Sequence, residues 1–282
     1  MQPTAGETVY RGHLGRLLAK IKRERDLDLE QYRPRYVERR VAVRLNILGL
    51  HTYQQYAAFL DAHPEEYMEL LDAMTINVTQ FFRDPQVFEL FRSDVLPVLV
   101  KSKADRKQRL MRIWSAGCAT GEEPYSLAMS VLDGIERLGA SDLLPTIIGT
   151  DIDREALAVA KKAEYPARQL EQIPVADQRR YVEVRGDLMK MKPALTDIVR
   201  FQYLNLFENT PIHGVDVVFC RNVFIYFNRD DQERLLDAFW QSLTRGGFLV
   251  LGRSERLTPA IASRFELIDS RQRTYRKPSA LQ

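Results

Sequence analysis

The chain has 282 residues, 45% hydrophobic and 28% charged, globular values that exclude a disordered or fibrous protein. Its 41 Lys and Arg against 38 Asp and Glu leave a net charge of +3, too small in itself to imply nucleic acid or a membrane surface. No apolar run approaches the ~18 residues of a spanning helix, the N-terminal MQPTAGETVYRGH lacks a signal peptide's apolar stretch, and two cysteines are too few for a disulfide framework or a zinc cluster. A reduced, soluble, cytoplasmic protein of about two domains is therefore expected.

In chain order, residues 1–76 carry helical periodicity and no strand pattern. Leu14, Leu17, Leu18 and Ile21 form one stripe, and Val37, Val41, Arg44, Leu45 and Leu48 a second. Tyr53, Tyr56, Ala57 and Leu60 form a third, and Tyr67, Leu70, Leu71 and Met74 a fourth beyond His63-Pro64. Four short helices suit a docking module rather than a whole protein. Residues 77–109 read as a linker, ending in the solvated charge run KSKADRKQR (101–109).

From residue 110 apolar strands alternate with amphipathic helices. Strands are predicted at 110–116, 145–151, 215–220 and 246–252, and helices at 124–138, 154–163 and 230–243, with Asn228 as an N-cap. This rhythm predicts an α/β domain over 110–282 with a parallel, doubly wound sheet. FELI (265–268) and RTYRK (273–277) suit a closing antiparallel pair. Residues 164–198 break the rhythm, and alternation around Arg185-Gly186-Asp187 predicts a small inserted β-hairpin.

Three loops could carry chemistry. WSAGCATGEEPYS (114–126) places Gly117 and Gly121 after the first strand, where a doubly wound sheet binds its ligand. It matches neither a P-loop nor the dinucleotide G-x-G-x-x-G. Glu122 and Glu123 at the helix start disfavour a pyrophosphate. Asp151 ends the second strand, where an acid commonly accepts ribose hydroxyls, and Asp153 suits an N-cap. A nucleoside with a positive centre and no phosphate chain points to S-adenosylmethionine. NVTQFFRDP (77–85) combines Asn77, Thr79 and Arg83 with Phe81 and Phe82, and FCRNVFIYFN (219–228) brings Arg221, Asn222 and Tyr226 after the third strand. Taken singly, each of these last two segments is better explained by interface or core packing than by function.

Together, NVTQFFRD, WSAGCATGEEPYS, GTDID, YLNLFE (203–208), FCRNVFIYF and LGRSE (251–255) occur in the order found in the CheR family, which the chain resembles over nearly its whole length. These chemotaxis methyltransferases use S-adenosylmethionine to methylate chemoreceptor glutamates. The resemblance implies a Rossmann-like S-adenosylmethionine-dependent methyltransferase sheet, an all-helical N-terminal domain and a small inserted antiparallel β-subdomain. It implies that the 77–109 linker carries a segment closing over the cofactor, with contacts from Asn77, Thr79 and Arg83, and further cofactor contacts from Glu123, Asp151, Asn205, Leu206, Arg221 and Asn222. It also implies a catalytic pair, Arg83 and Tyr226, and no metal. The product would be S-adenosylhomocysteine.

The implied reaction is an in-line displacement by a glutamate carboxylate. That group is already ionised at pH 7 and needs no general base. His13, His51, His63 and His213 all lie outside the motifs, which argues against a hydrolase built on a base-activated nucleophile. Residues 31–60 carry Arg33, Arg35, Arg39, Arg40 and Arg44 against Glu38, and Arg40 and Arg44 are i,i+4 neighbours. This basic face is expected to dock the glutamate-rich cytoplasmic helical domain of chemoreceptors, by a monomer that neither binds nucleic acid nor enters the membrane. The short turn VRGDLM (184–189) resembles the family members that do not tether to a receptor C-terminal pentapeptide. The rival readings are a methyltransferase acting on nucleic acid or a small molecule, and a non-catalytic receptor-binding module of the same fold. Arg221-Asn222-Val223-Phe224 differs from the Asn-Pro-Pro-Tyr loop of base methylation, and intact Arg83, Asp151 and Tyr226 argue against a degenerate module.

Overall fold

A computed structural model describes residues 12–25, 27–75, 77–208 and 212–279. The N-terminal stretch read for a signal peptide lies largely outside them. The chain forms two compact units, one of residues 1–76 with 226–231, the other of residues 77–225 with 232–282. Among the described residues, no helix is long and apolar enough to cross a membrane.

Among its described residues the first unit holds four α-helices, α1 (His13–Arg25), α2 (Pro34–Ile47), α3 (Tyr53–Ala62) and α4 (Glu66–Met74). Their predicted stripes are the buried faces: Leu17, Leu18 and Ile21 from α1, Val37 and Val41 from α2, Tyr56 and Leu60 from α3, Leu70 and Met74 from α4. Local chemistry sets the boundaries. Pro34 opens α2, where its missing N–H costs nothing. Thr52 and Gln55 form a reciprocal capping box at α3. Residues 226–231 complete the unit through a bridge from Phe227 to Tyr32, whose rings lie 5.2 Å apart.

In the second unit, residues 85–105 are helical, not an open linker. α5 (Pro85–Leu90), a π-helical turn (Phe91–Val95) and α6 (Leu96–Asp105) run on without a break. The π turn, in which the Leu96 N–H reaches back to the Phe91 carbonyl, precedes Pro97, which has no N–H to donate. Val87, Phe88, Phe91, Val95, Leu96 and Leu99 recur at helical spacing and belong to the main core. That spacing was legible; the flanking charge run masked it.

The sheet strands are β1 (Leu110–Ala116), β2 (Leu144–Asp151), β6 (Val199–Tyr203), β7 (Val215–Cys220), β8 (Leu243–Leu251), β9 (Glu266–Asp269) and β10 (Thr274–Arg276), in spatial order β6-β2-β1-β7-β8-β10-β9. β6, β2, β1, β7 and β8 are parallel, and β10 and β9 close the sheet antiparallel. The helices α7 (Glu122–Arg137), α8 (Arg154–Lys162) and α11 (Arg229–Ser242) connect the strands. Asp153 caps α8 by accepting from the Glu155 and Ala156 amides, and Asn228 Oδ1 accepts from the Asp231 amide at the start of α11, as the sequence predicts. β6 was not predicted. It is an edge strand whose polar Arg200 and Gln202 interrupt its apolar residues.

The insertion is larger than a hairpin. β3 (Glu164–Pro166), a 3-10 helix (Ala167–Gln172), α9 (Val175–Tyr181), β4 (Val182–Arg185), β5 (Leu188–Met191) and the short α10 (Pro193–Thr196) make up the insertion, whose strands form an antiparallel sheet in the order β3-β5-β4. The predicted turn at Gly186-Asp187 joins β4 to β5, and Gly186 takes the left-handed φ of +60°.

Candidate functional site

Strand order reverses direction at β1. The chain runs from β1 outward through β2 to β6, then returns to β7 on the other side. A crevice therefore opens beyond the carboxyl ends of β1 and β7. Residues 117–123 follow β1 there, and residues 221–224 follow β7.

The first loop turns at Gly117, with φ +74°. A Cβ there would lie 2.5 Å from Val223 Cγ2, so this crossing of the two loops requires glycine. The loop's amides are largely committed. Gly117 and Cys118 donate to the Thr150 carbonyl at 2.8 and 3.0 Å, and Gly121 donates to Cys118. Ala119 donates to Asp151 Oδ2 at 2.8 Å. An anion-binding loop presents such N–H groups to its ligand; this one spends them on itself, in keeping with a ligand that lacks a phosphate chain.

The carboxylates around it are specific. Asp151 Oδ1 accepts from the Asp153 amide at 2.9 Å while Oδ2 holds Ala119, and burial pushes its carboxyl pKa up against those two bonds. Glu122 accepts from Thr120 Oγ1 at 2.7 Å and is also pushed up by burial. Glu123 accepts from Ser115 Oγ at 2.7 Å and from Arg221 Nη1 at 3.1 Å.

Arg221 ties the second loop to the first. Its Nη2 donates to Asp84 Oδ2 at 2.6 Å and to the Arg83 carbonyl at 2.9 Å. Asn222 adopts a left-handed φ of +62°. Among the described residues, the buried Arg221 Nε and Asn222 Oδ1 have no hydrogen-bond partner. Buried polar atoms are normally satisfied, so these two suit a bound polar ligand. Glycine-turned crossing, excess carboxylate and orphaned polar atoms together fit a cationic nucleoside such as S-adenosylmethionine.

Asn77 and Arg83 lie on a strap that crosses before α5. Asn77 Nδ2 donates to Asp153 Oδ2 at 2.5 Å, and Arg83 Nη1 to the Val78 carbonyl at 2.7 Å. The Phe82 amide donates to Ser126 Oγ at 2.9 Å, and the Phe81 amide to Gln172 Oε1 of the insertion at 3.0 Å. Tyr165, also from the insertion, donates to the Thr120 carbonyl at 2.8 Å. Glu255, after β8, accepts from the Asn222 and Phe224 amides at 3.0 and 2.8 Å. Asp84, Ser115, Tyr165, Gln172 and Glu255 are thus parts of the site that sequence reasoning missed. Only Asp84, Ser115 and Glu255 lay inside recognised motifs.

None of these hydrogen bonds involves the other predicted residues. Asn205 forms a local turn, accepting from the Phe207 amide and donating to Glu208. Leu206 lines a cleft of about 320 Å³ with His213, Arg234 and Leu235. Thr79 is half-buried on the strap. Tyr226 belongs to the helical unit, where its ring lies 4.9 Å from that of Tyr36. Arg40 stacks its guanidinium 5.3 Å from the same Tyr36 ring. Arg44 requires a correction. It is 8% exposed, and its Nε and Nη2 grip Glu66 at 2.8 and 2.6 Å. Its charge is neutralised inside the helical unit and cannot be presented for docking. Its place in the apolar stripe Val37, Val41, Arg44, Leu45 was the signal.

The sheet order and these loops define the class: an S-adenosylmethionine-dependent methyltransferase. Residues 77–274 match the CheR methyltransferase SAM-binding domain, and residues 13–75 the CheR methyltransferase all-alpha domain. The chain belongs to the CheR methyltransferase family. It is 34% identical over 248 residues to chemotaxis protein methyltransferase 2 of Pseudomonas aeruginosa, covering 86% of this chain and 85% of that one. It is 29% identical over 254 residues to the chemotaxis protein methyltransferase of Borreliella burgdorferi, covering 88% and 89%. A 104.1 kDa protein of Rhodobacter capsulatus is 31% identical over 262 residues, 93% of this chain, but the chain spans only 27% of that protein's length.

Proposed function

We propose that the chain methylates glutamate side chains in the cytoplasmic helical domain of chemoreceptors, giving glutamate methyl esters and S-adenosylhomocysteine and so adjusting sensory signalling. The observation that carries this reading is the crevice at β1 and β7, rich in carboxylates and poor in free loop amides, in a chain of this family. When bound, S-adenosylmethionine supplies a methyl group activated by a positive sulfur. Asn77, Glu123, Asp151, Arg221 and Asn222 would hold it, with Asp151 accepting the ribose hydroxyls through the lone pairs its two backbone bonds leave free.

A substrate glutamate arrives ionised, so the chain's task is alignment rather than proton removal. Arg83 would hold the carboxylate and the Tyr226 hydroxyl would orient it. Full neutralisation by Arg83 would weaken the nucleophile, so a positioning contact is the useful one. The docking face, corrected for Arg44, is the exposed Arg35 and Arg39 of α2, with Arg40 beside them. Their sign complements a glutamate-rich helix. The two-residue turn between β4 and β5 supports methylation that does not depend on a C-terminal receptor pentapeptide.

The deciding experiment is transfer of radiolabelled methyl groups to the organism's own receptors, followed by alkaline release. Base-labile counts lost on Glu→Gln change in the receptor are expected, and lost with Arg83→Ala or Tyr226→Phe although product binding persists. Binding of S-adenosylhomocysteine without any base-labile product would overturn the substrate assignment.

A further inference from the structure

Glu255 lies in the turn after β8 and is 4% exposed. Its carboxylate takes three backbone N–H groups: Asn222 and Gly252 on Oε2 at 3.0 and 2.6 Å, and Phe224 on Oε1 at 2.8 Å. Its own amide donates to the Gly252 carbonyl at 2.9 Å, closing the turn that presents it. One buried anion thus joins the loop after β7 to the loop after β8.

Two features make this more than a fastening. Asn222 sits at a φ of +62°, in the left-handed region that glycine enters freely and Asn only occasionally. The bond from its amide to Glu255 helps to hold it there. The residues on either side of that bond are Arg221, which spans Asp84 and Glu123, and Asn222 itself, whose Oδ1 has no partner among the described residues. Three converging N–H groups also demand a charged, double-oxygen acceptor. An amide of the same size would turn its NH2 toward one of them. At Gly252, a Cβ would lie 2.6 Å from Glu255 Oε2 and 2.9 Å from the Asn222 nitrogen, so the close approach of the two loops leaves no room for one.

We propose that Glu255 is a positioning residue for the S-adenosylmethionine site, holding Asn222 left-handed so that the Arg221 and Asn222 side chains meet the ligand. The inference rests on the reading of the β1–β7 crevice as that site.

Its test is calorimetric titration of the full chain with S-adenosylhomocysteine, alongside steady-state kinetics and thermal melting. Glu255→Gln is expected to weaken product binding at least about tenfold, the scale of a lost charged hydrogen bond. KM for S-adenosylmethionine should rise in proportion, with a much smaller change in kcat. Gly252→Ala leaves the carboxylate in place but pushes it from the Asn222 amide, and the same signature is expected, so it decides the matter alone if Glu255→Gln does not fold. Folded variants that bind the product as the wild type does, with only a lower melting temperature, would overturn the positioning role. A wild-type chain that does not bind the product would instead overturn the reading of the crevice, and this inference with it.

Discussion

The buried Arg44–Glu66 pair gives the sharpest test of the helical unit, because its two readings predict opposite results. As a surface docking residue, Arg44 could be lost with little effect on folding. In the structure, Arg44→Ala removes both nitrogens that satisfy Glu66, which is 3% exposed and, among the described residues, keeps only the Tyr56 hydroxyl at 2.7 Å. Leaving one partner of a buried pair uncompensated costs about 3–5 kcal/mol. The additional contact to the exposed Glu69, at 3.3 Å, adds less than about 1 kcal/mol. Against a typical total of about 5–15 kcal/mol, that loss takes a large share of the fold's stability. Arg44→Met with Glu66→Leu removes both charges, and should recover most of the loss. Denaturant unfolding followed by far-UV circular dichroism reports the helices, whereas both tryptophans, Trp114 and Trp240, lie in the sheet unit. A loss below about 1 kcal/mol for Arg44→Ala, together with reduced receptor methylation, would refute the structural account and restore the docking one.

Charge reversal at the exposed Arg35 and Arg39 should slow receptor methylation, more so at low salt, without changing product affinity; unchanged methylation at low salt would count against this docking face. Gly117→Ala should weaken S-adenosylhomocysteine binding by at least about tenfold through contact with Val223 and the left-handed φ, and Val223→Ala should restore part of it. Asp177, on α9, has its pKa raised to about 6, first by burial and then by Asp133, with Arg92 opposing. A raised carboxyl binds its proton more tightly in the folded state. Its contribution is complete below the ordinary value near 4 and is lost as pH rises through 6. Asp177→Asn, which can donate to Asp133 without a proton, should therefore gain steadily on the wild type as pH rises from 4 to 6.5 and level above that. A stability difference that is flat across that range would exclude the mechanism.

What the sequence disclosed, and what it withheld, follows from the reach of each interaction. Strands buried on both faces, such as Val215–Cys220, announce themselves by composition, and caps such as Asp153 and Asn228 by chemistry within four residues. β6 escaped because an edge strand has one side to satisfy and can carry Arg200 and Gln202. The site divides the same way. Its loops were visible as motifs, but the partners that fix them are remote in sequence: Asp84 to Arg221, Gln172 to Phe81, Tyr165 to Thr120, Glu255 to Asn222. A charge count treats Arg44 and Arg39 alike. The apolar stripe sets Arg44 inward, but the fold supplies Glu66 across from it while Arg39 stays in water, and so turns one of two identical residue types into a stabilising pair and leaves the other exposed.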